Sequence, residues 1–170
     1  GAHLSSFNTP YKSLIDSNEK ELMKYKNTHI LRLPGVWGIK SIYNKIIPSG
    51  LIANILYSTK RQNSFYIYSR SDTLRNYISA QTVGKAIYNL ITNHHSFDLK
   101  NQINIISQFS YTIFDLIYIV EKITHIKLNY QFKEYSSYDI ESLIASNSNG
   151  KKIYVLESIY TDIHNAWKDL

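Results

Sequence analysis

The stretch His29-Ile-Leu-Arg-Leu-Pro-Gly-Val-Trp-Gly38 decides how this chain is read. Ile30 to Leu33 form a short apolar run suited to a buried strand. Pro34 has no N–H to offer a ladder, so the strand must end there. Gly35 and Gly38 then predict a glycine-punctuated turn whose backbone lies open to a flat ligand. Strand ends of this kind are where open α/β sheets bind small molecules.

Working outward, residues 11 to 26 read as a helix with Tyr11, Ile15, Leu22 and Met23 on one face. A second reading starts the helix later, because Asp16 and Glu19 have capping-box spacing, and leaves Tyr11 in a loop. Beyond the strand end, Pro48 suits the first turn of a helix through about Leu56, which would bury Leu51, Ile52, Ile55 and Leu56. Phe65 to Ile67 and the segment around Leu74 and Tyr77 predict two short strands about a turn at Ser69 to Asp72. Val83, Ala86, Ile87, Leu90 and Ile91 recur with helical period, in a helix starting near Gln81. Ile103 to Ile106 form a second compact apolar strand. Ser110 suits the N-cap of a helix whose face is Ile113, Leu116, Ile117, Val120 and Ile123. Lys127 to Phe132 alternates as a strand, Asn147 to Gly150 reads as a polar turn, and Leu156, Ile159, Ile163 and Trp167 give a last amphipathic helix. This alternation is α/β. The runs at 30 to 33 and 103 to 106 are expected to be neighbouring parallel strands flanked by helices.

Composition narrows the function classes. A chain of 170 residues with 44% hydrophobic and 19% charged residues can bury a core and is not disordered by composition. It has no cysteine, which excludes disulfides and thiolate metal sites and fits a reducing cytoplasm. No apolar run approaches the roughly 20 residues of a membrane span. The formal charge is +6, but the lysines are scattered rather than gathered along one element, so no nucleic-acid partner is expected. His94 and His95 are adjacent, and their side chains would diverge by ~100° on a helix. No metal is expected. The chain opens Gly1-Ala2-His3 rather than at a methionine, which suggests a processed product or a piece of something longer.

Taken in order, Tyr11, the helix-like stretch with Glu19, Leu22, Met23 and Tyr25, the Arg32 to Gly38 strand end, and Thr73-Leu-Arg-Asn-Tyr-Ile-Ser79 before a helix resemble the extended short-chain dehydrogenase/reductase family. These are the sugar-nucleotide epimerases and dehydratases, and the resemblance covers only their carboxyl-terminal half. It implies the carboxyl-terminal part of a Rossmann-like doubly wound fold with the small substrate-binding subdomain. Residues 1–40 would close the Rossmann-like part with the catalytic-helix region, and 41–170 would be mainly substrate-binding.

The resemblance also implies roles. Tyr11 would move a proton, Ser6 of the Ser5-Ser6 pair would polarise the reacting group, and the backbone of Pro34, Gly35 and Val36 would face the nicotinamide of NAD or NADP. Arg75 would hold the diphosphate of a nucleotide-sugar-like small molecule, a task suited to a planar, permanently charged fork. The sequence departs from the family in several places. Ile15 stands where the catalytic lysine is expected, so nothing there would lower the tyrosine's pKa from its reference of about 10. Asn76 replaces an aspartate, and Gln81 an acid. The glycine-rich pyrophosphate loop is not in this chain. The full protein would then be a hydride-transferring enzyme, compatible with a homodimer, or a non-catalytic binding member that has lost the lysine. Tyr11 as an ordinary packed tyrosine, and Arg75 as a surface arginine, stand beside those roles.

Overall fold

A computed structural model of the chain describes residues 10–25, 28–43, 45–68, 72–93, 102–107, 109–133, 151–155 and 158–170. Helix α1 (Pro10–Leu22) leads to β1 (Ile30–Arg32), followed by β2 (Gly35–Ile42), β3 (Lys45–Ser49), α2 (Leu51–Lys60), β4 (Phe65–Ile67), β5 (Arg75–Ser79) and α3 (Ala80–Thr92). Then come β6 (Gln102–Ser107), β7 (Ser110–Tyr111), α4 (Ile113–Thr124), β8 (Tyr130–Phe132), β9 (Lys151–Val155) and α5 (Ile159–Lys168). The architecture is mixed α/β.

Among the described residues, three sheets carry it. The first is parallel, in the order β1-β6-β9, with Leu31 opposite Ile103. The two apolar runs expected to be parallel neighbours are so. The second runs β3-β2-β5-β7: β2 pairs β5 in parallel (Gly35 with Tyr77, Trp37 with Ser79) and β3 antiparallel. The third joins β4 and β8 in parallel.

Among the described residues, two cores hold these sheets. One packs Trp37 and Tyr77 against α2 (Ile52, Ile55, Leu56), α4 (Leu116, Val120) and α5 (Ile159, Ile163). The other packs Val83, Ala86 and Leu90 of α3 on Ile78 and on Ile105 of the parallel sheet, with Leu31 and Leu33 beside them. All five residues expected on the α4 face are buried. On α3 the expected face is narrower, since Ile91 is 67% exposed.

Several expectations are corrected. Pro34 does end β1, but the Gly35 to Gly38 stretch is strand rather than turn, because β5 and β3 supply partners for its backbone on both sides. Pro48 lies in β3 opposite Ile39, an edge position where its missing N–H costs no ladder bond. The helix instead begins after Gly50, whose φ of 81° is left-handed and whose absent Cβ would come within 2.8 Å of the Val36 carbonyl. Ser110 belongs to β7. The α4 cap is Thr112, which forms a reciprocal box with Asp115. Asp16 and Glu19 do not open a helix: α1 already includes Tyr11, and Glu19 is used elsewhere. Strand β9 was not foreseen, Lys127 to Phe132 is strand only from Tyr130, and Asn147 to Gly150 lies outside the described residues.

Candidate functional site

The end of β1 is fixed from both flanks. Arg32 donates from Nε to Glu19 Oε1 at 3.0 Å, and its Nη2 meets Oε2, a two-pronged pair linking α1 to β1. Both side chains are largely buried, at 14% and 12% exposure. The Glu19 hydrogen bond raises the Arg32 guanidinium above its ordinary value against the opposing effect of burial, and the charges of Glu19 and Asp16 add to it. A planar fork on a carboxylate fixes orientation as well as distance, so this contact sets where α1 lies along β1. Tyr11, Ile15 and Glu19 follow one another at four-residue steps on α1, hence on one face. Tyr11 therefore lies about 12 Å along the helix from the anchor at Glu19.

On the other flank, β5 carries Arg75 two residues before Tyr77, the partner of Gly35. A Cβ at Gly35 would press on the Asn76 carbonyl and the Tyr77 ring, both at 3.2 Å, so glycine is what lets these strands approach. Arg75 is opposite Tyr111 on β7, so their side chains share a face. Tyr111 lines an open cleft of about 500 Å³ with Phe109, Asp115 and Tyr118. Burial, and then the Asp115 charge, push the Tyr111 phenol above its ordinary value, so at neutral pH it is a protonated hydroxyl.

Asn76 explains its own departure from aspartate. Its amide nitrogen donates to the Ser107 carbonyl (3.3 Å), the Phe109 carbonyl (2.9 Å) and Ser110 Oγ (3.1 Å), tying the end of β6 to β5. A carboxylate has no proton to give there and would face two carbonyl oxygens.

The expected residues thus fall into groups. Pro34, Gly35, Val36 and Arg75 lie on adjoining strand ends. Tyr11 is on α1, fastened to the same region through Glu19, and its side chain lies outside the described residues. Ser5 and Ser6, like His94 and His95, are also outside them. The start of α3 does not join Arg75: four residues of extended β5 separate them, about 13 Å of strand. The Thr82 N–H there is already taken by Ser79 Oγ. Sequence reasoning passed over Tyr111 and the Glu19–Arg32 pairing. An arginine standing among apolar residues at the end of β1 was the available signal for the second. Among the described residues no group of His, Cys, Asp and Glu could hold a metal ion, and no helix is long and apolar enough to cross a membrane.

No protein-family model and no curated protein matches this chain. Its fold, however, is that of the NAD-dependent sugar-nucleotide epimerases and dehydratases, and it spans about half the length of those chains. UDP-glucose 4-epimerase from Thermotoga maritima, solved with UDP-glucose, matches 95% of this chain and 53% of its own at 17% identity and a TM-score of 0.70. A UDP-glucose 4-epimerase from Stenotrophomonas maltophila, with bound NAD and formylated UDP-arabinopyranose, matches 95% and 54% at 19% identity and 0.65. L-threonine dehydrogenase from Clostridium difficile matches 95% and 55% at 18% identity and 0.64.

Proposed function

We propose that this chain is the carboxyl-terminal, substrate-side half of an NAD(P)-dependent protein of the epimerase, dehydratase or reductase type, acting on a nucleotide sugar by hydride transfer at a sugar carbon. The observation that carries this reading is the pairing of Gly35 with Tyr77, which puts the Pro34–Val36 strand end beside the strand that begins with Arg75. Arg75 holds the diphosphate. Tyr111, on the same face, offers a protonated hydroxyl next to it.

The nicotinamide ring would lie against this strand end, where Gly35 and Val36 are exposed. That cofactor supplies or takes up the hydride when bound. Its pyrophosphate would be held by a glycine-rich loop that residues 1–170 do not contain. In this reading Tyr11 moves the proton, Ser6 polarises the reacting oxygen, and the protein works in a reducing cytoplasm, compatible with a homodimer.

One observation favours a second reading. Ile15, half-buried one turn after Tyr11, can supply no charge to activate it, which suits a non-catalytic binding member of the fold.

Calorimetric titration of UDP, GDP and CDP sugars into the full-length protein and its Arg75→Ala variant tests the shared part of both readings. Loss of a charge-assisted partner should cost about 1.5 to 3 kcal/mol, roughly ten- to a hundredfold in affinity. Equal affinities for the two proteins would remove Arg75 from the site.

A further inference from the structure

The hairpin of β2 and β3 runs past the sheet that carries it. Only Gly35 to Trp37 pair with β5, whereas Gly38 to Ile42 pair with β3 alone, so about 17 Å of the hairpin reaches beyond its neighbour strand. Side chains alternate along both strands, and the two faces differ. Trp37, Ile39, Ile46 and Pro48 share the inner face, where Trp37 is buried and Ile39 packs against the larger core. The outer face sets Lys40 opposite Ile47 and Ile42 opposite Lys45, so two isoleucines lie diagonally between two lysines. Both lysines are exposed, Ile42 is half-buried and Ile47 is 41% exposed. The outward face of an antiparallel pair is ordinarily polar. At the tip, Tyr43 is 98% exposed and has a φ of 48°, a left-handed backbone that bulky residues rarely adopt.

Charge selects what this face can meet. Residues 35–50 hold two lysines and no aspartate or glutamate, and neither ammonium has an ion-pair partner among the described residues. Asp162 and Asp169 lie near the hairpin, but with Ile39, Ser41 and Ile46 on its inner face. The partner must therefore be anionic, and it must also take up apolar side chains. A nucleic acid or an acidic peptide would pair with the ammoniums and leave Ile42 and Ile47 in water. An anionic bilayer surface accepts both: lysine stems lie along apolar surface while their heads reach the headgroups, and a tyrosine ring sits at the boundary. We propose that the β2–β3 hairpin docks the protein on an anionic lipid surface, with Tyr43 leading, independently of the nucleotide-sugar reading. The protein would lie on the membrane rather than span it.

Cosedimentation of the full-length protein with vesicles tests this, using phosphatidylcholine alone and phosphatidylcholine with about one-third phosphatidylglycerol. The protein should be retained by the anionic vesicles only, and less so as salt is raised. Lys40→Gln and Lys45→Gln should each weaken that binding about fivefold. Tyr43→Asn should weaken it at least about fivefold by removing the inserted ring. All three positions are exposed, and asparagine suits the left-handed backbone at the tip, so these variants should fold. Arg75→Ala should sediment like the unmodified protein whatever it does to nucleotide-sugar binding, which keeps the two readings separable. No retention by anionic vesicles, equal retention by both kinds, or unchanged binding of the lysine variants would each overturn the proposal. So would weakened binding in the lysine variants with Tyr43→Asn unaffected, the mark of a surface that reads charge alone, as for a nucleic acid or an acidic peptide.

Discussion

On one flank of the Pro34 strand end, α1 is held to β1 by Glu19 and Arg32, with Ile15 one turn from Tyr11; on the other, β5 is held to β2 and begins with Arg75. The first flank has an apolar side chain, Ile15, where the proposed proton chemistry would need a cation. The second has a permanently charged fork. If the proposed function holds, anchoring and anion binding are thus provided for by side chains of the right kind, whereas the acid–base element is not. Shape alone cannot say which of them operates, since the same fold serves a UDP-glucose epimerase and a threonine dehydrogenase.

The largest effect should come from removing the anchor. Glu19→Ala leaves the Arg32 guanidinium, 14% exposed, without its carboxylate, and breaking a buried pair in this way costs about 3 to 5 kcal/mol. Denaturant unfolding should report that loss. A cost below about 1 kcal/mol would place the pair with exposed ones and free the α1 flank from its anchor.

Ile15→Lys sharpens the comparison from the chemical side. If Tyr11 is the proton carrier, a lysine one turn on should raise turnover of a nucleotide sugar by the full-length protein about 10²-fold. Brisk turnover by the unmodified protein, reduced by the substitution, would show that Tyr11 is aligned wrongly. Unchanged low turnover would favour the binding-module reading.

Asn76→Asp probes the second flank. It takes away a donor to two carbonyls and buries a carboxylate 5% exposed at that position, at a cost of about 2 kcal/mol. Because Asn76 also fixes β7, on which Tyr111 faces Arg75, nucleotide-sugar affinity should fall with it. Full stability in the variant would mean that β6 and β7 are held by the ladder alone.

What the sequence disclosed follows from the range of the interactions. Helices α3 and α4 were legible because their burial repeats every turn, and β1 and β6 because Ile30, Leu31 and Leu33, and Ile103, Ile105 and Ile106, cluster in short apolar runs. Strand β2 was not, since a glycine-rich stretch becomes strand only when β5 and β3 arrive from elsewhere in the chain. Pro48 misled for the same reason: an edge strand accepts proline as readily as a first helical turn does. Thr112 and Ser110 both suit a cap, and the partner Asp115 decides between them. In the candidate site, Arg75 and the Pro34 strand end were readable as motifs, but Tyr111 and the Asn76 bonds exist only through tertiary pairing.

The smallest effect lies farthest from the strand end, at a second ion pair that contrasts with the first. Glu121 accepts from the Leu128 N–H at 3.0 Å and from Lys127 Nζ at 2.9 Å, clasping the turn after α4, where His125 is left-handed. Burial pushes this carboxyl up, but the Leu128 N–H and the Lys127 ammonium together outweigh it and hold Glu121 below its ordinary 4.5. A carboxyl depressed in the folded state adds stability above its unfolded value and loses it as pH falls through the folded one. The contribution should therefore be present above about pH 4.5 and fade below it. Lys127 is 87% exposed, so salt should screen its share, unlike that of Arg32 and Glu19. Glu121→Gln keeps an acceptor for Leu128 but has no charge to titrate. Thermal melts of both proteins from pH 6 to pH 3 should thus converge at the acid end, by a margin smaller than the Asn76→Asp loss. Parallel profiles would show that the clasp is a hydrogen bond to which the charge adds nothing.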